Sequence, residues 1–437
     1  MRRTLALAAL ASIHAIAIAI GAVAIGAVAL AGTARAQETA LDSLRAAARS
    51  APRDYDAQLA LGLALIEAGH YREASTTMTR AANLRRDDAV AQYQSVRVEL
   101  AQHNYQRARS QCRAVERVAR DSAISHVCMA RAWIAWNRSA RALDEANAAL
   151  ERAPNDYEAL LALADAHRLR HSVAEAESAY QRAAAANPSA AEPHLGLGVL
   201  YAQSQRRADA LRELRRADQL DGDDPDVDFE LGRLLEGQDA VTHLTEAVAN
   251  RPGWALAQAA LGDALLASGQ TDAAITQFRA AIQGDQHLAH AQAGLGLALT
   301  AAGNLEEAER TLTHALEQVP NDAESVMALG DVYARTHREE EAYEQYRHAA
   351  DLDPRSAEPL VRAARLAVGQ ERPVLAQGFL QRVVGQHPNH AAALALMGDV
   401  ARARHQTREA RDYYQRALRG EGTFDRAAVE RSLRELH

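Results

Sequence analysis

The sequence contains no lysine, few aromatic residues (4% of 437) and only two cysteines, Cys112 and Cys128. Without lysine, every fixed positive side chain is an arginine. A codon bias explains that without any functional demand, so a single arginine carries little functional weight. Scarce aromatics leave few large anchors for a sheet or a deep pocket. The net charge of -8 and the absence of a basic block argue against nucleic-acid binding. There is no Gly-x-Ser-x-Gly, no phosphate-cradling glycine loop and no dinucleotide fingerprint. An independent catalytic domain is therefore not expected, and neither is a cofactor.

The chain is instead rich in alanine and leucine. Small side chains let helix axes approach closely, which favours many thin helical layers over one thick core. At the N-terminus, Met1-Arg2-Arg3 precedes an apolar run from Leu5 to about Ala31, then Ala34-Arg35-Ala36 before Gln37. A positive start, an apolar stretch and a small-x-small motif read as a secretory signal peptide over residues 1–36, cleaved near Ala36. The run is also long enough to span a bilayer, so residues 5–31 could instead stay as an inner-membrane anchor. Either way the remainder is expected outside the cytoplasm, periplasmic or secreted, touching membrane only through that segment. Cleavage would remove Arg2, Arg3 and Arg35 and no acid, leaving the chain more negative still.

A period of 34 runs through the rest. Ala40, Ala74, Ala108, Ala142, Ala176 and Ala210 keep it, and Ala240, Ala274, Ala308, Ala342, Ala376 and Ala410 resume it after one step of 30. Seven residues after each comes a second small apolar column, from Ala47 and Ala81 to Val383 and Ala417. Twelve before most of the first set stands Gly or another small residue: Gly62, Val96, Ala130, Ala164, Gly198, Gly262, Gly296, Gly330, Ala364, Gly398. Small residues belong where two helices cross most closely. Pro52, Pro154, Pro188, Pro252, Pro320, Pro354 and Pro388 end the second helices, and segments such as Asn155-Asp156 and Asn321-Asp322 offer caps to the next ones. Gly69, Gly269 and Gly303 mark inner turns.

These columns resemble the tetratricopeptide repeat family, most closely at Gly262, Ala274, Phe278 and Ala281, and at Leu329-Gly330, Tyr333, Ala342, Tyr346, Ala349 and Pro354. The aromatic expected early in the first helix is missing from most repeats. The resemblance implies an all-α fold: antiparallel helix pairs stacked as a right-handed superhelical solenoid, with first helices lining a concave groove. On this scheme residues 37–54 form a capping helix, 55–224 hold repeats 1–5, 225–254 a shortened repeat 6, 255–424 repeats 7–11, and 425–437 a terminal cap. Val429, Leu433 and Leu436 would face the last repeat. In repeat 6, Gly232 precedes Ala240 by 8 residues rather than 12, a loss of about one helical turn. The joint before it, Asp221 to Asp228, is the densest run of acids and reads either as a hinge or as a harmless length variant.

Other constellations are weak. Asp221, Asp223, Asp224, Asp226 and Asp228 do not match a calcium loop and read as a solvated joint. His167 with His171, His287 with His290, and His387 with His390 lack further ligands and read as solvent-facing or capping residues, so no metal site is expected. Cys112 and Cys128 fall on neighbouring helices and fit either a disulfide or two buried thiols. Trp133 reads as core. By analogy with the family, Tyr93, Arg97, Val127 and Arg131 would face the groove, as would Arg362, Arg365 and Arg402, near Asp331 and Asp399. Solvated helix faces are the plain alternative. The family's Lys and Asn carboxylate clamp cannot be carried over to a chain without lysine. The expected function is a non-enzymatic scaffold of the cell envelope that binds a peptide or helix in the groove. The alternative is a structural rod bridging membrane-linked partners.

Overall fold

The computed structural model of the protein describes residues 41–68, 70–102 and 104–436. The signal segment, Ala40 and the Gly69 turn lie outside them. The described residues are all helical, with a single β-bridge between His390 and Glu421. None of their helices is long and apolar enough to cross a membrane.

A helix α1 (41–50) is followed by six pairs: α2 (Tyr55–Glu67) with α3 (Tyr71–Leu84), α4 (Ala89–Ala101) with α5 (Tyr105–Val118), α6 (Ala123–Ala135) with α7 (Ser139–Arg152), α8 (Tyr157–Leu169) with α9 (Val173–Ala186), α10 (Glu192–Gln203) with α11 (Arg207–Leu220), and α12 (Pro225–Leu234) with α13 (Gly237–Asn250). Helix α14 (Ala255–Ala267) closes a first compact unit, which ends at Ser268. The second unit opens on α15 (Thr271–Gly284). Four pairs follow: α16 (Ala289–Ala302) with α17 (Leu305–Gln318), α18 (Ala323–Arg335) with α19 (Glu339–Leu352), α20 (Glu358–Gly369) with α21 (Pro373–Gln386), and α22 (Ala391–Ala403) with α23 (Thr407–Ala417). Helix α24 (Arg426–Glu435) covers the end, burying Val429 and Leu436 against Ala410, Tyr414 and Ala417. The division between units falls between α14 and α15, beyond the acidic joint.

From Ala74 to Ala410 every residue of the first alanine column is buried, as is every residue of the second column from Ala81 to Ala417. The glycine column explains the pairing. A Cβ on Gly62 would lie 2.3 Å from Met78 Sδ, on Gly198 2.5 Å from Leu214 Cγ, on Gly296 2.5 Å from Leu312 Cγ, and on Gly398 2.4 Å from Tyr414 Cε1. Each small residue thus receives a large one from the second helix of its own pair, and burying such a side chain contributes roughly 1.5–3 kcal/mol. In the shortened repeat the partner of Gly232 is Leu244, at 2.4 Å, so losing a turn leaves the packing in phase. Helix α1 departs from the column scheme. It buries Leu41 and Ala48, while Ala47 is exposed. It is rotated by about one residue from the column and packs Leu41 and Ala48 against Leu61 and Leu65 of α2 and Met78 of α3.

The inner turn is left-handed whether or not a glycine occupies it. Gly269 and Gly303 have φ of 75° and 87°, but Asn137, His171, Gln205, His337, Glu371 and His405 hold 54–59° at equivalent positions. A residue with a Cβ is strained there by roughly 1–2 kcal/mol. His337, whose side chain is 90% exposed, has little to lose. His337→Gly is expected to raise stability by about 1 kcal/mol, read from urea or thermal unfolding; an unchanged midpoint would show that the turn carries no strain.

Candidate binding groove

First helices α4, α6, α8, α10 and α12, with Ile66 of α2 and Trp254 before α14, line a groove in the first unit with a cavity of about 570 Å³. They do so because the second helices are consumed by packing on both sides, while the first helices keep one face clear of the column contacts. The lining holds Arg97, Arg131 and Arg168 against Glu158, Asp165, Glu192, Asp226 and Glu230, so it is acidic on balance.

Most of these charges are tied together. Arg131 Nη1 donates to Asp165 Oδ2 at 2.9 Å and Nη2 to Glu158 Oε2 at 3.2 Å. These carboxylates and Tyr93 hold the Arg131 guanidinium firmly charged despite burial. Asp165 also accepts from the Tyr180 hydroxyl, 2.5 Å away, and Arg168 Nε donates to that hydroxyl at 3.1 Å. Tyr93 is buried, which pushes its phenol up to about 12, and its hydroxyl donates weakly to Glu158 at 3.5 Å. Arg131 and Tyr93 are therefore struts of the groove wall rather than open binding groups. Val127, 1% exposed, faces the core against Cys112 and Cys128 and not the groove. It shares its 34-residue column with Tyr93, Leu161, Leu195 and Phe229, which line the groove, so the column alone does not say which of its side chains reach it. Arg97 alone of the four is exposed. It makes a 3.4 Å contact to Gln94 Oε1, and no carboxylate of the described residues pairs with it.

The second expected set behaves alike. Arg362 pairs with Asp331 and donates to Glu358 Oε1 at 2.8 Å, and Arg402 lies 3.7 Å from both Asp399 and Glu435. Arg365 is exposed. The Tyr180–Asp165 bond recurs as Tyr346 to Asp331 and Tyr414 to Asp399, each 2.7 Å, always fifteen residues apart. Each acid is thus held by a tyrosine from its own pair. Asp165 also takes Arg131 from the preceding repeat, Asp331 takes Arg362 from the following one, and Asp399 lies near Arg402 of its own helix.

The features that sequence reasoning missed are aromatic. Phe229 and Trp254 lie with ring centroids 4.6 Å apart and stay partly exposed to the groove. Arg251 stacks 4.4 Å over Trp254 and makes a two-pronged bond to Asp226 at 2.9 and 2.8 Å. The signal was present: Phe229 is a rare aromatic where most repeats have small or aliphatic residues, and Trp254 stands where most have Asp or Ser. Trp133 is core, 6% exposed, stacked on Trp136 with Arg141 4.6 Å above.

The acidic joint is not a solvated loop throughout. Asp224 caps α12 by accepting from Asp226 N at 2.8 Å, and burial pushes its carboxyl up to about 6. Asp228 is 1% exposed and accepts from or donates to His243 Nδ1 at 2.8 Å; burial pushes it up to about 6 as well. Among the histidine pairs, His171 occupies a left-handed turn and His390 caps α22 by accepting from Ala393 N at 3.2 Å. Cys112 on α5 and Cys128 on α6 are joined by a disulfide with Cα atoms 5.6 Å apart, stapling one repeat to the next.

No curated protein matches the chain. Similar solved structures include one described as a functional characterisation of Pseudomonas aeruginosa pilF, with 20% identity and a TM-score of 0.36 over 42% of this chain and 88% of that one. The Cut9–Hcn1 hetero-tetramer of the APC/C gives 14% identity and a TM-score of 0.48 over 84% and 93%. Yeast Tom70 gives 12% and 0.43 over 88% and 96%. One tetratricopeptide repeat model matches residues 129–191, 168–225, 230–289 and 361–426, and two others match 265–332 and 323–356. The first of these alone spans just over half of the sequence and follows the helix pairs, so the chain belongs to the tetratricopeptide repeat family.

Proposed function

We propose that the protein is a non-enzymatic protein–protein interaction scaffold of the cell envelope, holding an extended or helical segment of its partner in the groove of the first unit. The observation that carries this reading is the open pair Phe229 and Trp254 within an acidic lining whose arginines are mostly paired internally. Such a surface suits a segment that brings one large apolar side chain for the aromatic pair and basic residues for Glu192 and Glu230. The envelope location rests on residues 1–36 and is supported by the Cys112–Cys128 disulfide, which persists in oxidising compartments.

A photo-crosslinking residue placed at Phe229, with one at Arg182 on a second helix as control, tests the groove in envelope extract. Partner cross-links are expected at Phe229, and Trp254→Ala should weaken the partner's affinity about tenfold or more, as loss of a buried aromatic anchor does. Cross-links at Arg182 alone would refute the groove assignment.

A further inference from the structure

We propose that Asp228, His243 and Glu246 form a site for a divalent transition-metal ion, of which Zn²⁺ is the probe of choice. One ligand atom from each lies within 4.8 Å of the others. His243 Nδ1 stands 2.8 Å from Asp228 Oδ1 and 3.7 Å from Glu246 Oε2. Donors sharing one tetrahedral ion at bond lengths of about 2.0–2.1 Å lie about 3.3 Å apart, between these two values. A change of rotamer at the exposed Glu246 side chain would close the remaining distance to Asp228 and seat the ion.

A second observation separates this cluster from an ordinary ion pair. Asp228 is 1% exposed, yet its Oδ2 is buried with no hydrogen-bond partner. A buried carboxylate oxygen left unmatched costs free energy, which a cation held by both oxygens of Asp228 would remove. The same first-helix column elsewhere shows what a matched pair looks like. His194, 34 residues before Asp228, meets Glu213 at 3.0 Å, and Glu213 also accepts from Arg212 at 3.3 Å. His126 meets Glu145 and Asp121 through opposite ring nitrogens, so those carboxylates do not converge. In the shortened repeat acid and base have exchanged helices. His243 and Glu246 sit three apart on one face of α13, and both carboxylates address the same nitrogen. Two carboxylates and a neutral imidazole balance a divalent charge. One nitrogen and two oxygens suit zinc or its neighbours better than calcium, which takes six to eight oxygens. Glu246, 53% exposed, leaves the fourth position open to water. The ion would tie α12 to α13 where α12 has lost a turn.

Titration calorimetry with Zn²⁺ on the protein as isolated from cells, against Glu246→Gln and His243→Gln, tests this. Other histidines contribute weak background common to all variants. The exposed Glu246→Gln leaves the fold intact and should weaken the tight site by more than the roughly tenfold that an outer-sphere change costs. His243→Gln should abolish it, together with the visible absorption of the Co²⁺ form. Ca²⁺ should not compete. Unchanged Zn²⁺ affinity in Glu246→Gln, or no tight site in the unaltered chain, would overturn the proposal.

Discussion

Phe278→Ala is expected to destabilise the second unit by about 3–5 kcal/mol, the range for removing a fully buried phenylalanine. Phe278 is 0% exposed, and its ring lies where a Cβ on Gly294 would approach Cε1 to 2.4 Å. The ring therefore fills space that α16 has vacated by carrying glycine. Gly294→Leu alone should also destabilise, by about 1–3 kcal/mol, through overpacking. The decisive measurement is the double variant. If ring and glycine are one complementary contact, Gly294→Leu should restore part of the stability lost in Phe278→Ala, a coupling of about 0.5–3 kcal/mol in urea denaturation. Strictly additive losses would mean that the two positions do not share one space.

Opening the Cys112–Cys128 bond should cost about 3 kcal/mol, the loss expected for a loop of this length. Both cysteines are 0% exposed, so the double Cys→Ala variant avoids burying unmatched hydroxyls. Its unfolding midpoint should fall to that of the reduced unaltered chain, and dithiothreitol should have no further effect on it. The same bond reports on location. Protein isolated from cells should begin at Gln37 and weigh two protons less than its reduced form. A chain beginning at Met1 with two free thiols would remove the case for export.

The repeat was legible in the sequence because it is written in steric terms. Alanine at closest approach is a local requirement repeated eleven times, and a period of 34 with one slip cannot arise from composition alone. What the columns did not disclose is how charges are spent. Arg131 and Arg97 share one column, yet Arg131 is locked by Asp165 and Glu158 while Arg97 stays open. The difference lies in whether the next repeat supplies an acid 34 positions on. Reading Asp165 after Arg131 would have found it, as would reading Tyr fifteen residues after each such Asp. Val127 shows the converse error: Leu161, Leu195 and Phe229 of the same column reach the groove while the shorter Val127 is buried, so side-chain size and not the column decides. Asp228 could have been taken from the acidic joint by noting that it continues the column of His126 and His194.

The shortened repeat implies that length in this protein is quantised. Gly232 still meets Leu244 because the missing segment is close to a whole turn of helix. A loss of two residues would have swung the alanine face some 200° toward water. Insertions and deletions within a helix are thus admissible only in steps near four or multiples of the whole 34-residue module. A gene for such a chain can lengthen, shorten or re-aim its groove in discrete increments while every other contact stays in register.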